Sequence, residues 1–390
     1  MFIALRIGLL FFIASFAISS WATRMPDVLA QLGVNKATMG LTLFAGPVGA
    51  LVAALFAAPL MARLSAGRVG ALGVAVISAM LYGIALSHHW LVMASVVFIA
   101  GAGGSCLDIG ANAATQRLET LHGRKYMAQC HAFWSLGFMA GALAAGLFGQ
   151  LGFSLPVHLA IVASASLAAV TATYFILPRQ FYLPVPAAAN GEKPPTFAMP
   201  NRHILGVCLM TLGVTLAECS IYDWATVYMH EGQPASPFWV SAAYASFTLT
   251  MAFGRLVGDR FRERFSGSSI VRVCALMTGV GLAGFILAPS TLISGLSLAV
   301  MGLGVSLVYP IGIAAAGEKE GNSAHNVAAT SMLMTAAFLA APPGIGFVAE
   351  HAGLMTAFLM MVPLVIMSLL LAGEADPPSC RRREAAMPAA

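Results

Sequence analysis

"LAECSIYDWATVYM", residues 216 to 229, sets two acids, Glu218 and Asp223, five positions apart in an otherwise apolar run. At the centre of a membrane-spanning helix an aspartate costs about 2.5–3.5 kcal/mol on translocon-derived scales. The rest of the chain decides whether that cost applies. Of its 390 residues 59% are hydrophobic and 9% charged, and mean hydropathy is +0.85, against roughly 45–50% apolar and 25% charged in soluble domains. The chain is a polytopic membrane protein, and 216–229 lies in a spanning helix that retains two costly acids.

Apolar runs long enough to cross about 30 Å of hydrocarbon lie near 4–23, 38–62, 69–87, 90–116, 128–150, 156–177, 203–229, 238–258, 269–288, 290–314, 325–349 and 354–373. Turn chemistry separates them at "SHHW" (87–90), "EGQPASP" (231–237), "APS" (288–290) and "EHAG" (350–353). Helices are required because lipid satisfies no free backbone N–H or C=O. The expected fold is therefore all-α and integral to the membrane, with twelve transmembrane helices.

Lys and Arg set the orientation. With the N-terminus inside, cytoplasmic segments hold Arg6, Arg63, Arg68, Arg117, Arg124, Lys125, Arg179, Lys193, Arg202, Arg255, Arg260, Arg262, Arg264, Arg272, Lys319 and Arg381 to Arg383, leaving Arg24 and Lys36 outside. Both termini are then cytoplasmic. Residues 1–22 also fit a cleaved signal peptide, but the apolar stretch exceeds the usual h-region of about 7–15 residues, which favours a retained helix. The six cysteines form no C-x-x-C pair and five lie in apolar runs, so neither a disulfide nor a metal site is expected. The net charge of +5 reflects this topology and gives no reason to expect a nucleic-acid partner.

Between the sixth and seventh helices, "LPRQFYLPVPAAANGEKPPTFAMPNR" (177–202) is rich in proline and polar residues and cannot span. It divides the chain into an N-terminal six-helix bundle (1–177), a cytoplasmic linker (178–202), a C-terminal six-helix bundle (203–373) and a cytoplasmic tail (374–390). The halves echo one another: "SWATRM" (20–25) ends the first helix and "DWATVYM" (223–229) ends the seventh. At corresponding positions this suggests an internal repeat of two pseudo-symmetric bundles, although three matched residues also occur by chance.

Over nearly its whole length the chain resembles the major facilitator superfamily. Besides the six-plus-six pattern, "GRLVGDRFRER" (254–264), after the eighth helix, is similar to that superfamily's G-x-x-x-D-R loop, in which an acid and arginines latch cytoplasmic helix ends. The resemblance implies a latch at Asp259 and Arg260; the plain alternative is that the arginines only obey the positive-inside rule. The matching "PLMARLSAGRVG" (59–70) has Ala62 where the acid would stand, so the latch is expected to be lopsided. "GSCLDIGANAA" (104–114), "HAFWSLG" (131–137) and "AECSIYDW" (217–224) resemble the fucose-permease-like branch, and particularly the YbjJ-type bacterial inner-membrane permeases. That resemblance implies that the fourth-helix acid, Asp108, sits in the cavity and takes part in proton-coupled transport. The first helix has no acid where the sugar symporter carries one, which argues against fucose itself.

The residues support this reading independently. Asp108 and Asn112, four apart, share a helix face and can hold a polar ligand or each other; the alternative is that they glue two helices. Glu218 lies about 21 Å along the seventh helix from Ile204, facing a central cavity, with Tyr222 on the same side. Asp223 is about 140° round from Glu218, which suggests a separate site. It is expected to pair with Arg24 across the bundles as an outer gate; the alternative is that Arg24 pairs with Asp27 or extends to head groups. His131 is either a satisfied interfacial histidine or a ligand, and Trp134 either packing or an aromatic platform for a sugar-like ring. Gly137 and Gly141 read as a close helix contact, and "APPGIG" (341–346) as a break in the eleventh helix.

No Walker A, H-E-x-x-H or G-x-S-x-G motif is present, and no soluble domain is long enough to house one. The expectation is a monomeric inner-membrane secondary transporter, without cofactor, carrying a small polar or sugar-like solute with a proton across the bilayer by alternating access. The alternative is a non-transporting sensor or scaffold that retained the fold. The deep acids argue against it, since a scaffold gains nothing from them.

Overall fold

The computed structural model describes residues 2–124, 126–183 and 199–376, with the side chains of Phe2, Ala128 and Asp259 excepted. Lys125, Lys193, Cys380, Arg381 to Arg383, most of the 178–202 linker and the tail beyond 376 therefore lie outside the described residues. In chain order the helices are α1 (Phe2–Ala22), α2 (Met25–Leu32), α3 (Lys36–Leu64), α4 (Ala66–Leu86), α5 (Trp90–His122), α6 (Met127–Gln150), α7 (Leu155–Ile176), α8 (Leu205–Gly232), α9 (Pro237–Arg262), α10 (Gly267–Ile286), α11 (Thr291–Val305), α12 (Val308–Glu318), α13 (Ser323–Leu359) and α14 (Met361–Leu370). No strand occurs among the described residues.

These account for all twelve apolar runs. The first half contributes α1 and α3 to α7, with α2 a short amphipathic helix in the first connection. Pro26 opens α2 and Gly33, at φ +62°, closes it. In the second half α11 and α12 together form one span. Gly353 (φ +83°, ψ 157°) turns the chain inside α13, so its last residues belong with α14 to the twelfth span.

Two expectations need correction. Residues 254–262 are not a loop: α9 continues through them to Arg262, because "GRLVGDRFR" holds no proline and both its glycines stay helical. Nor is α13 broken at "APPGIG". Pro342 and Pro343 sit inside a helix whose only non-helical residue is Gly353, and Gly40 of α3 admits the Pro342 carbonyl so closely that a Cβ there would fall 2.5 Å from it.

The repeat is visible in paired details. Gln31, after α1, donates from Nε2 to the carbonyls of Ile84, Ala85 and Ser87 at the end of α4. Gln233, after α8, donates to the Ala288 carbonyl and Ser294 Oγ beyond α10. Gly67 at the start of α4 packs under Phe181, just past α7, and Gly267 at the start of α10 packs under Ala375, just past α14.

Close packing between the halves gathers at one end. There Gly40 and Gly346 bring α3 against α13, while Gly146 and Gly149 bring α6 against the first residues of α9. At the other end α6 and α9 leave His131 and Arg255 exposed. We term these the closed and open ends. Within the first half Gly137 and Gly141 do lie against α1, at Phe12 and Phe16, as their spacing predicts. Because a Cβ on Gly141 would fall 2.5 Å from the Phe16 carbonyl, Gly141→Leu should destabilise the protein by about 1–3 kcal/mol through overpacking. Gly344→Ala, with no atom within 4 Å of the new Cβ, serves as the control in detergent melting curves. Equal melting temperatures for the two variants would refute the α1–α6 contact.

Candidate functional site

A cavity of about 530 Å³ lies between the halves. Trp21, Leu43, Gly104, Trp134 and Phe138 supply its first-half wall, and Glu218, Tyr222, Asp223, Tyr244, Arg255 and Phe338 its second-half wall. A larger groove of about 840 Å³ runs between α9 and α11, but Trp239, Leu292 and Leu296 line it and it holds no acid or base. Those side chains are exposed on the apolar outer surface, where lipid would lie.

Glu218 is buried on α8, and Arg255 Nη2 on α9 stands 3.6 Å from its Oε1. The guanidinium stays 45% exposed while the carboxylate is 8% exposed, so water from the open end can solvate the cation but hardly the anion. The Tyr222 hydroxyl, one helical turn beyond Glu218, donates to Met251 Sδ at 3.7 Å. Its ring meets Phe138 and Phe247 edge-on, at 5.6 and 5.7 Å. Tyr244 donates its hydroxyl to the Tyr222 carbonyl at 3.1 Å.

Asp108, Asn112 and His131 lie nearer the open end than this cavity floor. Asn112 Nδ2 donates to Asp108 Oδ1 at 2.7 Å, so the two hold each other. Asp108 is exposed. His131 is also exposed, its ring tilted on Phe11 at 5.2 Å. Trp134 lines the cavity itself. Of the six residues read from sequence as binding or coupling groups, Trp134, Glu218 and Tyr222 line the cavity, whereas Asp108, Asn112 and His131 are not part of its wall.

The gate is placed differently from expectation. Although the halves meet at the closed end, Arg24 donates to Asp27 at 2.7 Å and to the Phe153 carbonyl at 2.9 Å, while Asp223 lines the cavity with Glu218. The Arg24–Asp223 pair is not formed, and the two acids of α8 share one cavity after all. Two other bonds tie the halves at that end. Lys36 Nζ meets Glu231 Oε1 at 2.8 Å, and the Lys36 backbone N–H donates to Glu350 Oε2 at 2.9 Å. Sequence reasoning missed both, although its only outer cations lay in the first half and "HEG" and "AEH" offered acids in the second. It also missed Arg255, counting it with the loop arginines; the available signal was its position inside the apolar "MAFGRLVG". Of the expected latch, Arg260 is exposed near the end of α9 and the Asp259 side chain lies outside the described residues.

A family model described as Major Facilitator Superfamily matches residues 7–332. An uncharacterised MFS-type transporter of Yersinia pestis is 28% identical over 351 residues, 90% of either chain. Among solved structures, the nucleoside transporter NupG superposes with a TM-score of 0.74 at 19% identity, over 96% of this chain and 98% of the other. A point variant of the Escherichia coli fucose:proton symporter FucP gives 0.60 at 16% identity, over the same shares.

The Glu218–Arg255 geometry fixes an order of mutational effects. Arg255→Ala strands a buried carboxylate and should cost about 1–2 kcal/mol, below the roughly 3–5 kcal/mol of a fully buried pair because the guanidinium is half solvated. Glu218→Gln should cost less, and adding it to Arg255→Ala should recover much of the loss. Melting curves of the three variants test this, and a double variant no more stable than Arg255→Ala alone would show that the pair does not interact.

Proposed function

The chain belongs to the Major Facilitator Superfamily, and from that premise we propose that it moves a small polar solute by alternating access, coupled to protons through Glu218 and Asp108. The observation that carries this reading is the inter-half cavity holding a buried, ion-paired acid, closed at one end by glycine-mediated helix contacts and reached from the other. A nucleoside transporter and a fucose:proton symporter share the fold, and both names denote small hydroxylated cargo, which favours a solute of similar size and polarity. The YbjJ-type branch is part of the proposal, as are the bacterial inner membrane, a monomer, and the division into bundles at 1–177 and 203–373.

With Lys and Arg gathered at the open end, that end faces the cytoplasm, and the conformation is inward-open. In the proposed cycle a proton on Glu218 dissolves its ion pair and frees Arg255 to donate to solute oxygens. Loss of that proton restores the pair and expels the solute. Such coupling requires that the two charge states of the site differ in their preference for the two conformations. Asp108, held by Asn112 at the mouth, is the proposed exchange point with cytoplasmic water. Lys36, Glu231 and Glu350 are the proposed outer tie.

Two measurements test the reading. In proteoliposomes Glu218→Gln should abolish pH-gradient-driven accumulation while solute exchange persists, and Asp108→Asn should slow accumulation. Uphill transport intact in both variants would remove these acids from coupling, and absence of any solute flux in the wild type would favour the sensor or scaffold. For orientation, in a cysteine-free background, cysteines at the exposed His88 and Ser154 should react with an impermeant thiol reagent from outside the cell, and those at the exposed Arg124 and Arg264 should not. The reverse pattern would invert the proposed topology.

A further inference from the structure

We propose that Asp223 binds a positively charged nitrogen on the transported solute, an ammonium or protonated amine, so that the cargo class is small polar amines. The proposal rests on the transporter reading above and adds to it a chemical class and the residue that selects it.

Asp223 lies five residues beyond Glu218 along α8, about 7.5 Å closer to the closed end, and lines the same cavity. Among the described residues it has no hydrogen-bond or ion-pair partner. The nearby cations are engaged elsewhere: Arg255 with Glu218, Arg24 with Asp27 and the Phe153 carbonyl, and Lys36 with Glu231. Within the cavity two carboxylates therefore face one guanidinium, an excess of one negative charge. A carboxylate inside a membrane must find a partner or bind a proton, and here the protein supplies no partner.

The surrounding walls suit a cation. Trp21, Trp134, Phe138, Tyr222 and Phe338 line the cavity, while Tyr244 is fully buried behind them with its hydroxyl on the Tyr222 carbonyl. A carboxylate among aromatic faces is the usual chemistry for an organic ammonium, because the ring quadrupole attracts the cation while the carboxylate neutralises it. A bare metal cation would need several oxygen ligands, and the cavity lining offers few besides the acids. At the other end of the cavity Arg255 keeps part of its guanidinium exposed and can donate to a hydroxyl or carboxylate of the same solute. The cargo thus carries its amine toward the closed end and its oxygens toward the mouth.

The test uses purified full-length protein and matched pairs in which a hydroxyl replaces an amine: glucosamine with glucose, ethanolamine with ethylene glycol, and 4-aminobutanol with 1,4-butanediol. Each is titrated in thermal-shift and competition assays, with flux measured in proteoliposomes. Wild type should prefer the amine member of at least one pair, Asp223→Asn should reduce that preference by about tenfold or more, and Asp223→Glu should restore part of it. The proposal is overturned if no pair shows amine preference, if Asp223→Asn keeps the preference, or if that variant loses only the pH dependence of transport, which would make Asp223 a proton site. Flux without amine preference defeats the assignment of Asp223 while leaving the transporter reading intact. Amine-selective binding without flux of any solute does the opposite.

Discussion

A buried carboxylate and a half-solvated guanidinium, Glu218 and Arg255, set the terms for the rest of the molecule. Bringing both charges out of water costs several kcal/mol per ion, and mutual attraction repays this only when geometry and remaining solvation are favourable. At 3.6 Å with Arg255 45% exposed, the pair avoids the worst of the penalty because the cavity opens on the arginine's side. A dry cavity would strand it. The open end, the length of α9 and the placement of an acid on α8 are therefore coupled features, each tolerable because of the others.

Closure at the opposite end rests mainly on packing. The Lys36–Glu231 pair joins a lysine that is 22% exposed to a glutamate that is 48% exposed, and pairs so placed contribute about 0–1 kcal/mol. The glycine contacts at 40, 146 and 346 let backbones and neighbouring side chains meet where a single Cβ would intrude, which is how helices associate when lipid is as apolar as protein. Packing of this kind is lost as a unit when the halves separate, whereas one ion pair breaks at little cost. The ionic tie fixes the register of an interface that helix contact holds together.

Most of the fold was legible because hydrocarbon imposes a length and a composition on each span: all twelve apolar runs became helices, and the WAT repeat reflects paired details such as Gln31 with Gln233. The site was only partly legible. Arg255 was misassigned because loop arginines and cavity arginines look alike near a helix end, where a long side chain can extend back into the bundle. Asp223 was set apart from Glu218 by a helical-wheel angle of about 140°. That argument assumes a helix shows the cavity a narrow stripe, yet α8 presents residues 218, 219, 222 and 223 to it. The continuity of α13 through Pro342 and Pro343 was hidden for a different reason: proline disrupts an isolated helix, and only the neighbouring Gly40 shows how the packing accommodates it.

The departures from symmetry place the chemistry. At corresponding ends of the repeat, Trp21 lines the cavity, whereas Trp224 is fully buried against Gly346. The first helix, lacking an acid, offers the cavity aromatic and apolar surface, and α8 and α9 supply all the charged groups of the cavity floor. Among the described residues the first half places no acid or base on the cavity wall, and its Asp108 lies beside Asn112 nearer the mouth. Two halves that rock about a site need not contribute equally to it. Because the floor's ions sit on α8 and α9 of one half, the proposed rocking of the halves need not separate them, and what it alters first is which end admits water and solute to them.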